Sequence, residues 1–302
     1  MAFPTDTFTG VSGDLDVFIP EVWGERINDF LRSKLVLAAF FTDRSDELSG
    51  GGDTIHTPNM TEMTAASKTV ATAVTLISPT ETKIDLVVDQ WYEVSFMIED
   101  REAAFYKRSY TLQSRYGKNA GFAAAKKLEV ALASLFTSFS TSVGVSVTAI
   151  ADSVVRAAIA AYEGNNNDPA DGAFFFDTKV FWAQLQNIDK FSLAINSPVQ
   201  DPVAKRPQTS LYGYPTWLSN NIQFFSGSTG RVNALASSDA LHFATASLGV
   251  NSKSSGMVGS MGVRVQSNYI PEYLGTLTTA DILYGTIENR DLAGVRILTL
   301  HS

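Results

Sequence analysis

Apolar and polar residues alternate with a period of two from 83 to 98, the signature of a strand with one buried face. Ile84, Leu86, Val88, Tyr92, Val94, Phe96 and Ile98 take even positions, while Lys83, Asp85, Asp89, Glu93 and Ser95 take odd ones. At roughly 3.3 Å per residue, one strand of this length would reach about 50 Å, longer than a compact domain normally uses. The period then changes. From 99 to about 139, Phe105, Leu112, Tyr116, Ala120, Ala123, Leu128, Leu132 and Leu135 form an apolar stripe at helical spacing, with Asp100 placed to cap the helix. Some 35 helical residues make a rod of roughly 50 Å, the spine of the molecule. Gly117 and Gly121 mark a bend or a close contact within it.

Upstream, residues 1–13 are polar and read as an extended arm. Pro20 introduces a short amphipathic helix carrying Val22, Trp23, Ile27, Phe30, Leu31, Leu35 and Leu37. Three glycines, Gly50, Gly51 and Gly52, give a hinge. Residues 53–79 are rich in Thr, Ala and Val, with Thr54, Ile55, Thr57, Val70, Thr72, Val74 and Leu76 as strand candidates. This stretch has too few large apolar groups to build a core, so it reads as a projecting hairpin completed by the strand from Lys83 and ordered by a partner surface.

Residues 145–262 form a second, mixed unit. It contains a helix at 153–162, a polar turn at 165–172, a short buried strand at 173–176 and a helix capped by Asp177 that carries Val180, Phe181, Leu185 and Ile188. Pro198, Pro202, Pro207 and Pro215 punctuate an irregular stretch, followed by strand candidates at 231–236 and 240–244. After a Gly and Ser stretch at 247–262, Val263, Val265, Ile282, Tyr284, Ile287, Val295, Ile297 and Leu300 suggest strands returning to the sheet near 83–98. The pattern is α+β.

Composition narrows the function. The chain has 302 residues, 45% hydrophobic and 18% charged, with no cysteine, so disulfides and thiol chemistry are excluded. No run approaches the roughly 20 apolar residues of a spanning helix and 1–10 lacks the features of a secretory signal, so a soluble protein made in a cytoplasm is expected, with no membrane partner. A net charge of −8 argues against a broad nucleic-acid-binding face. The basic residues Arg101, Lys107, Arg108, Arg115, Lys118, Lys126 and Lys127, interleaved with Glu102 and Glu129, read as a solvated helix face.

Candidate chemistry is thin. His56, His242 and His301 are the imidazole bases available, and none lies in a nucleophile motif. Gly259, Ser260 and Gly262 only superficially approach one, and the spacing of Gly256, Gly259 and Gly262 fits no phosphate loop. Asn165, Asn167, Asp168 and Asp171 offer oxygen ligands, but Pro169 and the missing downstream glutamate spoil a calcium loop. Asp85, Asp89 and Glu93 share a strand face at steps of roughly 13 Å, too far apart for a carboxylate pair. Trp91, Tyr92, Phe174, Phe175, Phe176, Phe181 and Trp182 read as core or subunit contacts. No catalytic, cofactor or metal residues are assigned, and the chain is not expected to be an enzyme.

The order of arm, short helix, hinge, hairpin, spine helix, mixed domain and returning strands resembles the major capsid proteins of tailed bacteriophages, the Hong Kong 97 type capsid fold shared with encapsulin shells. The residues that carry the resemblance are Ile19-Pro20-Glu21-Val22-Trp23, Gly51-Gly52-Asp53-Thr54-Ile55-His56-Thr57-Pro58-Asn59, Lys83-Ile84-Asp85, and Leu211-Tyr212-Gly213-Tyr214-Pro215 leading to Leu218-Ser219-Asn220-Asn221. Nearly the whole chain is covered.

The resemblance implies an N-terminal arm and short helix at 1–45, an extended loop at 46–82, a peripheral domain with the spine helix at 83–144 and 266–302, and an axial domain at 145–265. It further implies self-assembly as pentamers and hexamers into an icosahedral virion shell around double-stranded DNA that is enclosed without specific binding, built in the bacterial host cytoplasm. A portal, a separate scaffolding protein and a decoration protein are the implied partners. No motif matches the lysine to asparagine crosslink of some members, so Lys68 reads as solvated. The alternatives are an encapsulin-like compartment shell with a cargo-peptide pocket and, less favoured, a small-molecule hydrolase around His242.

Overall fold

The computed structural model describes residues 35–48, 51–61, 63–105, 109–188, 210–225, 227, 229–246, 248, 255–257 and 262–301. All fall within one compact unit, Ser33–Ser302. The expected arm, most of the first short helix and the proline-punctuated stretch around Pro198, Pro202 and Pro207 lie outside the described residues. Leu35 and Leu37, expected at the end of that first helix, are not helical, and Leu37 opens a turn that runs to Phe40.

The strands are β1 (Thr42–Asp43), β2 (Thr54–Met60), β3 (Glu81–Val87), β4 (Gln90–Glu99), β5 (Ser142–Gly144), β6 (Gly172–Asp177), β7 (Ser210–Leu211), β8 (Tyr214–Ser219), β9 (Phe224–Phe225), β10 (Gly230–Ser237), β11 (Leu241–Thr245), β12 (Ser255–Met257), β13 (Arg264–Ile270), β14 (Gly275–Glu288) and β15 (Gly294–Leu300). The α-helices are α1 (Asp100–Phe105), α2 (Ser109–Ser134), α3 (Asp152–Gly164) and α4 (Thr178–Ala183).

Two sheets carry the unit. The first runs β1-β11-β14-β13-β12, and β4 joins it by pairing antiparallel with β14 from Glu99 opposite Gly275 to Gln90 opposite Tyr284. The second runs β5-β15-β10-β6-β8-β7, with β9 against β10. A separate two-stranded ladder, β2 with β3, makes the hairpin. The returning strands therefore divide. β13 and β14 reach the sheet containing β4 as expected, whereas β15 pairs with β10 and β5 in the second sheet. β11 leaves the second sheet to pair with β14. The expected boundary at 265/266 thus does not coincide with a boundary between sheets.

The single long strand expected at 83–98 is two strands with different partners. β3 ends at Val87, and the chain crosses β14 at Val88 before β4 begins. Gly285 allows the crossing, since a Cβ there would overlap the Val87 carbonyl oxygen and lie 3.0 Å from Val88 Cα. Alternation continues through the break, but its even face is only partly covered. Leu86 and Val88 are buried, Phe96 and Ile98 half-buried, and Tyr92 and Val94 exposed.

The expected helix from 99 is helical at Asp100–Phe105 and at Ser109–Ser134, and residues 106–108 lie outside the described residues. Glu99 closes β4, Asp100 opens α1 and accepts a hydrogen bond from the Tyr269 hydroxyl at 2.7 Å, and α2 runs unbroken through Gly117 and Gly121. Leu128 and Leu132 of its stripe are fully buried and Ala120 nearly so, while Tyr116 stays exposed.

Alternate faces of β6 and β10 serve two cores, which is why β6 is an unbroken buried run. Phe175, Ala234 and Ala236 join α2, Phe41 and Phe136 in one cluster, and Phe174, Phe176 and Leu235 join α3 and α4 in the other. Asp177 caps α4 by accepting from the Lys179 N–H at 3.2 Å. A smaller cluster of Ile55, Leu86, Val88 and Ala244 fixes the hairpin root.

Candidate functional site

The polar residues singled out from sequence are mostly tied into separate local networks. His242 is buried and its Nε2 lies 2.8 Å from Asp239, whose second oxygen accepts from Arg290 at 2.9 Å. Asn289 also bonds Asp239, so the group staples the β10–β11 turn to the end of β14. His56 Nδ1 sits 2.6 Å from Asp85 in an exposed cross-strand trio with Lys83, and the hydrogen bonds from Lys83 and from His56 hold the Asp85 carboxyl below its usual range. His301 faces Arg231 and packs edge-on to Phe224. Burial and the Arg231 charge push its imidazole pKa down.

The possible cation ligands are spent on loop bonds. Asn165 and Asn167 donate to the Leu292 carbonyl at 3.2 and 2.7 Å, and Asp168 accepts from the Ala170 N–H. Among the described residues no three or more His, Cys, Asp or Glu side chains gather as a metal site would require. Asp89 and Glu93 bond Gln90 and Ser95 respectively and do not meet Asp85.

Two carboxyl sites were missed from sequence. Glu129, read as solvated, is 1% exposed and accepts backbone N–H groups from Val36, Leu37 and Ala38. Its place on the apolar side of α2, four residues after Ala125 and three before Leu132, was the available signal. Glu288 and Asp291 form a close pair at the turn between β14 and β15. Burial, and the adjacent Asp291 acting against Ser138, raise the Glu288 carboxyl. Burial opposes ionisation of Asp291 too, but the hydrogen bonds from the Ser140 hydroxyl and N–H and from Glu288 outweigh it and lower the Asp291 carboxyl.

Among the described residues, three stretches of apolar surface bear on assembly. The hairpin ladder runs from Thr54 opposite Val87 to Met60 opposite Glu81. Residues beyond it, expected as strand at 70–76, form no strand. Their only turn is at 70–72, because the partner of β2 is β3 and 61–80 is the connection between them. Val70 is 93% and Leu76 89% exposed, and Met63 and Val74 are also open to solvent. Second, the half-covered face of β4 looks onto α2 across a cavity of about 750 Å³ lined by Val94, Phe96, Ile98, Tyr116, Ala120 and Ala123. Phe96 and Tyr116 meet across it with ring centroids 5.7 Å apart. Third, Tyr273 and Leu274 stand exposed between β13 and β14.

No family model and no curated relative matches the sequence. Solved structures do match. A protein of Mycobacterium phage Che8 superposes with a TM-score of 0.74 at 15% identity, covering 93% of this chain and 97% of the other. Capsid structures of a cyanophage and of a GTA particle match as well. The chain therefore has a phage capsid fold.

The same architecture recurs in the capsid structure of cyanophage P-SCSP1u, with a TM-score of 0.71 at 12% identity and 98% of each chain covered. The capsid of a native GTA particle gives 0.63 at 15% identity, with 97% of this chain and 99% of that one covered. These alignments span almost the full length of both partners. Among the described residues no helix is long and apolar enough to cross a membrane.

Proposed function

We propose that this chain is the major capsid protein of a tailed bacteriophage, assembling with copies of itself into an icosahedral shell that encloses double-stranded DNA. The observation that carries the reading is the hairpin. A ladder packed only at its root, with an apolar tip open to water, has little reason to persist in an isolated subunit, and burial against a neighbour supplies one. A capsid fold aligned along nearly its whole length gives that neighbour a second copy of the chain.

On this reading, α1, α2, β4, β13 and β14 belong to the peripheral domain of the Hong Kong 97 type fold and α3, α4, β6, β8 and β10 to the axial domain, which points to the centres of pentamers and hexamers. The hairpin is the extended loop and 1–45 the arm and first helix. The chain works in the virion, after assembly in the host cytoplasm with a separate scaffolding protein, a portal and, where present, a decoration protein. The acidic balance suits a wall that confines DNA without gripping it.

Replacing Val70 and Leu76 together by aspartate tests the reading. Both are solvent-exposed, so subunit stability should change by less than about 0.5 kcal/mol, while shell formation followed by sedimentation velocity should be lost. Shells forming at wild-type yield from the double variant would remove the hairpin from the account.

A further inference from the structure

Glu129 is a carboxylate 1% exposed in the last turns of α2, facing the segment from residue 35 that leads into the turn at 37–40. Oε1 accepts the N–H groups of Val36 and Leu37 at 2.8 and 3.1 Å, and Oε2 those of Leu37 and Ala38 at 3.0 and 3.3 Å. From the side of β8, the Ser219 hydroxyl, which accepts the Asn221 N–H at 3.2 Å, acts on the carboxyl to lower its pKa. Every one of these donors is neutral. Residues 35–41 of the turn carry no titratable group, and the first charges after it, Asp43 and Arg44, are engaged by Ser45 and by Glu47 and Thr57. On α2 itself Lys126 and Lys127 point to solvent, Lys127 over the Tyr92 ring.

We propose that residues 35–38 are a strap whose hold on the subunit tightens when Glu129 takes up a proton, so that the root of the N-terminal segment is gripped more firmly in mild acid than at neutral pH. Among the described residues no countercharge meets Glu129, and a buried carboxylate held only by neutral donors loses more solvation than they return. Opening the strap gives that charge back to water, which favours the open state whenever Glu129 is ionised. A neutral carboxyl has no such incentive. Its carbonyl oxygen still accepts from the backbone.

The sign follows from linkage. Burial is the largest influence on Glu129 and raises its pKa, against the opposing amides of Val36, Leu37 and Ala38 and the Ser219 hydroxyl. With the closed-state value above the open-state one, the added grip is fully present below the open-state pKa. It is lost as pH rises through the closed-state pKa. The strap thus runs opposite to the usual acid loosening of carboxylate contacts.

Hydrogen exchange of the full-length subunit, followed by mass spectrometry on peptides spanning 35–41 and corrected for intrinsic rates, reads the strap directly. Because it concerns the subunit alone, its outcome is independent of the capsid reading. Protection should be greater at about pH 5 than at about pH 7.5, by up to about tenfold per pH unit inside the linkage window. Glu129→Gln should abolish the pH dependence. Ser219→Ala, which leaves the carboxyl in place but removes a donor to its charged form, should move the change to higher pH. Protection in the wild type that is flat with pH or weaker in acid would overturn the proposal, as would a Ser219→Ala profile that does not shift.

Discussion

Phe175→Ala is expected to destabilise the subunit by about 3–5 kcal/mol, the cost of emptying a large aromatic site that its surroundings cannot refill. Phe175 is fully buried in β6 and packs against three other rings, with centroids 5.1 Å from Phe40, 5.3 Å from Phe41 and 5.7 Å from Phe136. Those rings come from the segment after the strap and from the end of the spine, so one cavity loosens the second sheet, the spine and the N-terminal root together. Against a total of about 5–15 kcal/mol for a typical domain, the loss is a large fraction. Chemical denaturation of the unassembled subunit should show it. Tyr273→Ala, which removes an exposed ring, should stay within about 0.5 kcal/mol. Similar midpoints for the two variants would mean that the aromatic cluster does not organise the core.

Gly285→Ala should be comparably severe, at about 3 kcal/mol or more, through overlap instead of a cavity. The new methyl would collide with the Val87 carbonyl oxygen and come within 2.8 Å of its carbon, both backbone atoms that have no rotamer to escape into. Either β14 or the crossing at Val88 has to move. The cluster of Ile55, Leu86, Val88 and Ala244 is what gives way, and it is the hairpin's attachment. Loss of hydrogen-exchange protection should therefore be largest in β2 and β3, with the second sheet little changed. A Gly285→Ala subunit with wild-type protection there would show that the crossing is not tight.

Local pattern explains which parts of this arrangement were readable. The alternation of 83–98, the buried run around Phe174–Phe176 and the Asp177 cap depend on near neighbours, and the structure keeps them in place. The break at Val88–Asp89 was hidden because alternation survives it. What changes there is the partner strand, and only Gly285, two hundred residues downstream, records the crossing. The same holds for β15, whose apolar pattern suits either sheet and whose pairing with β10 is a property of chain topology.

The polar sites divide along the same line. His242, His56 and the Asn165 to Asp171 turn could be named from sequence, yet their roles as staples rest on partners such as Arg290, Lys83 and the Leu292 carbonyl. Glu129 was misread because its helix also bears Lys126 and Lys127, which are solvated, and the two residues from Lys127 to Glu129 turn a side chain by about 200°. Glu288 and Asp291 lie three apart across a turn, where no helical or strand periodicity applies.

The central claim is that this subunit is completed by copies of itself. Electron cryomicroscopy of the native assembly, with this chain traced in the map, tests it most directly. The account predicts a closed icosahedral shell in which the tip residues Val70, Val74 and Leu76 of each hairpin are buried against a neighbouring subunit. Particles without such a shell, or a shell in which every hairpin tip projects into solvent untouched, would contradict it.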